Sequence, residues 1–120
     1  MAKILLAEDD PTMVSLLQTL LKMEGFETVT LEPDADITGA AVRERPDILL
    51  MDVHLGQQSG MDVIASIRRN PQTAGIRVVM TSGLDVREAC LRQGANDFLL
   101  KPFMPAELIG ILNRNNDLPQ

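Results

Sequence analysis

The sequence predicts a doubly wound α/β fold, a (βα)5 chain whose parallel sheet runs in the strand order 2-1-3-4-5. Three observations predict it. Short apolar runs, Ile4-Leu5-Leu6-Ala7, Ile48-Leu49-Leu50-Met51 and Val78-Val79-Met80-Thr81, show no alternation and are bounded by polar or turn residues. Such runs read as strands buried on both faces, the condition of a parallel sheet covered by helices. Stretches with helical spacing separate them, so strand-like and helix-like segments alternate along the whole chain, with right-handed crossovers expected. Finally, the runs end in chemically useful groups: Glu8-Asp9-Asp10, Asp52 and Ser82, with Phe98-Leu99-Leu100 leading into Lys101-Pro102. Ligands of open parallel sheets gather outside the carboxyl ends of the strands, so these groups should converge there.

The elements follow in order. After the first strand, Asp10 is placed to cap a helix with Pro11 at its first position, where a missing N–H costs nothing. Met13, Leu16, Leu17, Leu20 and Leu21 give it an apolar stripe and Gly25 a stop. Phe26 to Leu31 is a second strand, more polar and therefore an edge. Ile37, Ala40 and Ala41 mark a short second helix ending before Pro46. The third strand carries Asp52, and Ser59 caps a third helix that buries Val63, Ile64 and Ile67. Asn70 to Gly75 is a turn, and the fourth strand starts at Ile76. A short helix turning Val86, Ala89 and Cys90 inward stops at Gly94. The fifth strand leads to Pro105 and a last helix with Leu108, Ile111 and Leu112, and the polar tail from Asn113 to Gln120 is expected to fray.

Composition excludes several classes. A chain of 120 residues has room for one domain and one core. With three Phe and no Trp or Tyr, that core must be aliphatic. The formal charge of −6 and scattered basic residues give no stripe that could neutralise nucleic-acid phosphates. A single cysteine, Cys90, excludes an internal disulfide and a thiolate metal cage. The segment before the first acids is too short for a signal peptide or a membrane span, so a soluble cytoplasmic protein with no membrane partner is expected.

At the level of motifs, the chain resembles a receiver domain of the bacterial response-regulator family over almost its whole length. The residues that carry the resemblance run from Lys3 to Pro11, from Pro46 to Asp52 with Gly60 and Asp62 beyond, from Val78 to Gly83, from Gly94 to Phe98, and from Lys101 to Phe103. Four groups in order, each at a strand end, make a specific signal where one alone would not. The resemblance implies a flavodoxin-like fold and a function: accepting a phosphoryl group from a sensor histidine kinase or histidine phosphotransfer protein in a two-component phosphorelay. It makes Asp52 the phosphoacceptor and gives Mg2+ to Glu8, Asp9, Asp52 and the backbone carbonyl of His54. Ser82 and Lys101 would each take a phosphoryl oxygen, and Ser82 and Phe98 would form the switch. The Lys101-Pro102 peptide would be cis. An unknown downstream protein would dock on the face of the fourth helix, fifth strand and fifth helix. Autophosphorylation and slow autodephosphorylation would be the only chemistry, so the protein is not expected to be an enzyme in the usual sense.

The residue types suit that chemistry. Two carboxylates 4 Å apart repel by roughly 4 kcal/mol at an effective dielectric near 20. Three of them together call for a divalent cation, and Mg2+ takes all-oxygen ligation. Lys101 supplies a point charge, Ser82 a hydroxyl, and Gly83 leaves room beside them.

Bland readings compete with each assignment. Glu8, Asp9 and Asp10 could be a helix cap alone, Ser82 an ordinary turn hydroxyl, Phe98 plain core, and the His54 side chain simply solvent-facing. Three departures from the family pattern stand out: Phe98 carries no hydroxyl, Gly56 replaces a usual proline, and the stretch from Ser82 to Gly94 is short. Among rival classes, a flavin carrier would need a phosphate loop where this chain has acids, and a haloacid-dehalogenase-type phosphatase would need an acid where this chain has His54. A phosphorylation-independent interaction module on the same fold is the main alternative. No effector segment follows the fifth helix; a stand-alone receiver and a piece of a longer protein both remain open, Met1 and the polar end at Gln120 favouring the first.

Overall fold

The structure, a computed structural model, describes residues 2–117. Five parallel strands form the sheet: β1 (Lys3–Ala7), β2 (Glu27–Leu31), β3 (Ile48–Asp52), β6 (Arg77–Ser82) and β7 (Asp97–Leu100). Their order is β2-β1-β3-β6-β7, which is 2-1-3-4-5 among the strands of this sheet. A separate antiparallel hairpin, β4 (His54–Leu55) with β5 (Gln58–Ser59), sits between β3 and the next helix.

Both faces of the central strands are covered, which is why their sequences do not alternate. Leu5, Ala7, Leu49, Met51, Val78 and Met80 point to one side, where they pack with Ile37, Ala40 and Ala41 of α2 (Ile37–Glu44) and with Val63, Ile64 and Ile67 of α3 (Gly60–Arg69). Cys90 of α4 (Arg87–Gln93) closes that layer. Ile4, Leu6, Ile48, Leu50 and Val79 point to the other side, against Leu17 and Leu21 of α1 (Pro11–Met23) and Leu108 and Leu112 of α5 (Pro105–Asp117).

Local chemistry sets the helix starts. Asp10 Oδ1 accepts the N–H of Thr12 at 2.9 Å and Pro11 opens α1. Asp36 accepts from Gly39, and Ser59 Oγ accepts from Met61 at 3.1 Å. These bonds satisfy N–H groups that a helix cannot pair internally. Helix α4 follows Val86, which offers no side-chain cap, and is seven residues long.

The expectations differ from the structure at several points. Strand β2 starts at Glu27 and β6 at Arg77, one residue after the predicted starts, and Phe26 is buried against α1 and α5 instead. Leu16, placed in the buried stripe of α1, is half exposed. One residue is about 100° of helix, which carries it off the line set by Met13, Leu17 and Leu21. The tail expected to fray from Asn113 is helical through Asp117. Arg114 of that stretch pairs with Asp97 of β7; residues 118–120 of that tail lie outside the described residues. Among the described residues, no helix is long and apolar enough to cross a membrane.

Candidate functional site

Parallel register brings the strand ends into one layer. Ala7 is level with Met51, Asp52 with Thr81, and Ser82 with Leu100. Glu8 therefore follows the end of β1, Asp52 and Ser82 end β3 and β6, and Lys101 follows β7, all at one rim of the sheet.

Ligand oxygens of Glu8, Asp9 and Asp52 lie within 4.8 Å of one another. Glu8 and Asp52 are buried and Asp9 is exposed. The Lys101 ammonium bridges the two buried acids, donating to Asp52 Oδ2 at 2.5 Å and to Glu8 Oε1 at 2.8 Å. The second oxygen of each carboxylate takes a backbone donor, His54 N–H on Asp52 Oδ1 at 2.9 Å and Asp10 N–H on Glu8 Oε2 at 3.1 Å. Asp9 Oδ2 accepts from Gly56 N–H at 3.3 Å.

Electrostatics follow from this arrangement. Three acids against one ammonium leave the pocket negative, and at 4.8 Å each like pair repels by about 3–4 kcal/mol at an effective dielectric near 20. Burial raises the pKa of Glu8, an effect opposed by the bonds from Lys101 and from the Asp10 N–H and reinforced by the charge on Asp52. Burial alone would lower the pKa of Lys101, but the hydrogen bonds to Asp52 and Glu8 outweigh it and the net shift is upward. The donor set is all oxygen, partly open through Asp9, and short of positive charge, which fits Mg2+.

The remaining predicted residues take distinct places. Ser82 is buried beside the rim, with its Oγ accepting Leu84 N–H at 3.1 Å and its carbonyl accepting Lys101 N–H at 2.8 Å. A Cβ at the exposed Gly83 would meet nothing within 4 Å apart from its chain neighbours. Phe98 is buried in the core, its carbonyl accepting from Arg87 at 3.1 Å and its ring 5.6 Å from the Arg87 guanidinium carbon. The His54 side chain is exposed while its backbone N–H faces Asp52. The Lys101-Pro102 peptide is cis.

Gly60 has a steric reason that its sequence context does not show. A Cβ there would stand 2.6 Å from the Asp52 carbonyl oxygen, so only glycine lets α3 begin this close to β3. The β4–β5 hairpin leaves no periodicity in the sequence, and neither does Gln58, whose amide reaches the loop after β2. An open cleft of about 310 Å³ beside Glu8 and Asp9 is also walled by that loop through Pro33. A cleft of about 360 Å³ between Arg45, Pro46 and Ile76 lies at the other end of the sheet and gathers no acid.

The parallel sheet thus gathers acids, a hydroxyl and a lysine at one rim, and the family follows from comparison. The model of the response regulator receiver domain matches residues 4–113, and the chain belongs to that family. It is 37% identical to the DNA-binding response regulator MtrA of Mycolicibacterium smegmatis, a match covering 98% of this chain and 53% of that protein. The chain thus spans about half the length of the curated relatives it matches. Among solved structures, it is 32% identical to the receiver domain of the sensor histidine kinase PA1611 from Pseudomonas aeruginosa, with a TM-score of 0.85 over 94% of this chain and 95% of that one. That structure holds a magnesium ion coordinated in its active-site cleft. The BeF3-activated receiver domain of Klebsiella pneumoniae RstA is 28% identical, with a TM-score of 0.85 over 97% of this chain and 99% of that one. The fold and receiver class expected from the sequence are thereby borne out.

Proposed function

We propose that this chain is a single receiver domain that accepts a phosphoryl group on Asp52 from a histidine kinase or histidine phosphotransfer protein and thereby changes its partner-binding surface. The observation that carries the reading is the placement of Asp52: buried at the sheet rim, within 4.8 Å of two further acids and bonded to Lys101.

Glu8, Asp9, Asp52 and the carbonyl of His54 would hold Mg2+. When bound, that ion supplies the positive charge that lets anionic phosphoryl oxygens approach an acidic pocket. The chain's own residues do the rest. One Asp52 oxygen forms the new O–P bond while the bond from phosphorus to the donor's imidazole nitrogen breaks and the electron pair leaves with that nitrogen. Lys101 is positioned to exchange its bond to Asp52 for one to a phosphoryl oxygen. Ser82, whose hydroxyl oxygen accepts Leu84 N–H, would turn to donate to another. Hydrolysis reverses the load: water attacks phosphorus, phosphate leaves, and the Asp52 carboxylate returns. This is signalling chemistry on a single group, with no separate substrate to turn over.

Modification adds about −1.5 to −2 charge at the rim. Movement of Ser82 and repacking of Phe98, which has no hydroxyl to trade, would carry the change to α4, β7 and α5. Leu91, Leu100 and Met104 are exposed there and would meet the downstream protein. A receiver served by a histidine kinase in this way would work in the cytoplasm.

Incubation with acetyl phosphate and magnesium should add one phosphoryl group per chain by intact mass, and Asp52→Asn should add none. Equal labelling of Asp52→Asn would defeat the assignment. Parent protein that takes up neither phosphoryl group nor beryllofluoride would instead support a phosphorylation-independent interaction module.

A further inference from the structure

The acid pocket is held open on one side by a hairpin too short to hold itself. Strands β4 and β5 contribute two residues each, joined by Gly56 and Gln57. Gly56 sits at φ +57, the left-handed region a tight two-residue turn requires at its first position. A two-stranded ribbon of this size is not stable alone in water. Yet it carries two of the donors that face the acids, His54 N–H on Asp52 and Gly56 N–H on Asp9.

Two side chains tie it down: Leu55 is fully buried in the core, and Gln58 bonds a neighbouring turn. Gln58 Nε2 donates to the carbonyl of Pro33 at 2.6 Å and to that of Ala35 at 2.9 Å. Those carbonyls belong to the turn after β2, which is closed by Ala35 N–H on the Glu32 carbonyl at 3.0 Å and runs directly into the Asp36 cap of α2. The turn is therefore anchored at both ends. It also touches the pocket, since Pro33 lines the same cleft as Glu8 and Asp9 and lies 3.9 Å from where a Gly56 Cβ would be. Both amide hydrogens of Gln58 are used, on two carbonyls from another segment of the chain, so the contact fixes position in two directions.

We propose that Gln58 is a positioning residue of the acid pocket. It straps the β4–β5 hairpin to the turn after β2 and so holds the Gly56 and His54 N–H groups on the Asp9 and Asp52 carboxylates. The inference rests on the magnesium and phosphoacceptor reading for its functional consequence, but its structural content is independent of any ligand. An N–H on one oxygen of Asp9 and one of Asp52 fixes the rotation of each carboxylate, and so the direction in which its oxygens face a cation. Without the strap, Leu55 still anchors β4 while the Gly56 turn loosens, and Asp9, the exposed acid, loses its orientation first. Partners that orient ligating groups are typically worth ~10–100-fold in metal affinity. Gln58 acts one step further out, so about three- to tenfold is expected here.

The test uses Gln58→Met, which keeps the length of the side chain and removes both donors, with Gln58→Ala as the second variant. Amide exchange of Gly56 is followed by NMR in metal-free protein, and magnesium affinity by titration calorimetry. The expected result is roughly tenfold faster exchange at Gly56, unchanged exchange in β1 and β3, and three- to tenfold weaker magnesium binding. Phosphorylation by acetyl phosphate at saturating magnesium should stay near the parent rate. Gly56 exchange and magnesium affinity equal to those of the parent would overturn the proposal. So would faster exchange throughout the sheet, or loss of folding in both variants, since either makes Gln58 a general support of the fold. A parent protein that binds no magnesium defeats the site reading, whereas Gly56 exchange in the metal-free state still decides the strap.

Discussion

Lys101 Nζ stands 2.5 Å from Asp52 Oδ2 while also holding Glu8 at 2.8 Å, so one ammonium compensates two buried carboxylates. The pair joins the end of β3 to the residue after β7, across the intervening β6. In the metal-free chain Lys101 is therefore the main counter-charge of the pocket, and its replacement is informative.

Lys101→Met should destabilise the metal-free protein by about 1–3 kcal/mol near neutral pH, because it strands two acids with only backbone donors. Partial exposure of Lys101 keeps the figure below that of a fully buried pair. The pH dependence has a defined sign. The folded pKa of Lys101 is raised, so its contribution is full below the ordinary value of 10.5 and fades as pH climbs through the higher folded value. Glu8, whose pKa is raised above 4.5, binds its proton more readily in the folded state, so the deficit of the variant should shrink as pH falls toward that range. Urea unfolding in chelator across pH reads both. A deficit that grows on acidification contradicts the argument.

Asp9→Asn should do the opposite to metal-free stability. It removes one negative charge from the cluster yet keeps an oxygen to accept the Gly56 N–H. Because Asp9 is exposed, the gain should be about 1 kcal/mol or less, while magnesium affinity falls clearly. Thermal unfolding with and without magnesium gives both numbers, and a metal-free variant less stable than the parent rules out repulsion as the governing effect.

The strands and their chemistry were legible because burial on both faces leaves unbroken apolar runs, and each run ends on a polar residue that has to face the rim. Asp10, Asp36 and Ser59 show how local the helix starts are, since each cap bonds an N–H two or three residues on. What the sequence hid is non-local or very short. A hairpin of two-residue strands is below any periodicity, although Gly56-Gln57 between Leu55 and Gln58 is a tight-turn signal. Nothing about a glutamine at position 58 reports which carbonyls it will meet. Leu16 shows the limit of pattern matching, for it has the right spacing to Met13 and Leu20 and still faces out.

Arg68 is the largest such omission. Its guanidinium donates to the carbonyls of Gly94, Ala74 and Ile76 and to Asn96 Oδ1, at 2.6 to 3.0 Å. Gly94 is required beside it, since a Cβ there would lie 2.9 Å from Arg68 Cγ and the residue has φ +122. The side chain thus joins the end of α3, the turn before β6 and the end of α4. Arg68→Met should cost about 2–4 kcal/mol, and Arg68→Lys should recover little, because a three-donor point charge cannot span these acceptors. Denaturant midpoints for the three proteins check this, and full recovery by lysine would reduce the role of Arg68 to charge alone.

His54 divides its work between backbone and side chain. Its N–H bonds Asp52 and its carbonyl is the proposed metal ligand, while the imidazole projects into solvent from the hairpin. His54→Ala removes only the imidazole, so magnesium affinity should stay within about twofold of the parent, a shift worth ~0.4 kcal/mol. The phosphorylated state is a different matter, because the exposed imidazole belongs to the residue whose N–H bonds Asp52. A well-placed general base contributes ~10²–10⁴-fold. An exposed side chain on a two-residue strand is not held in such a position, and the expected change in dephosphorylation rate is less than about tenfold. Orientation of water by the imidazole makes the variant slower, and shielding of phosphorus makes it faster. Decay of phosphorylated parent and variant in excess magnesium, followed by intact mass at several pH values, separates the two. A change of a hundredfold or more would make His54 a catalytic group, and superimposable curves at every pH would leave it with its backbone role alone.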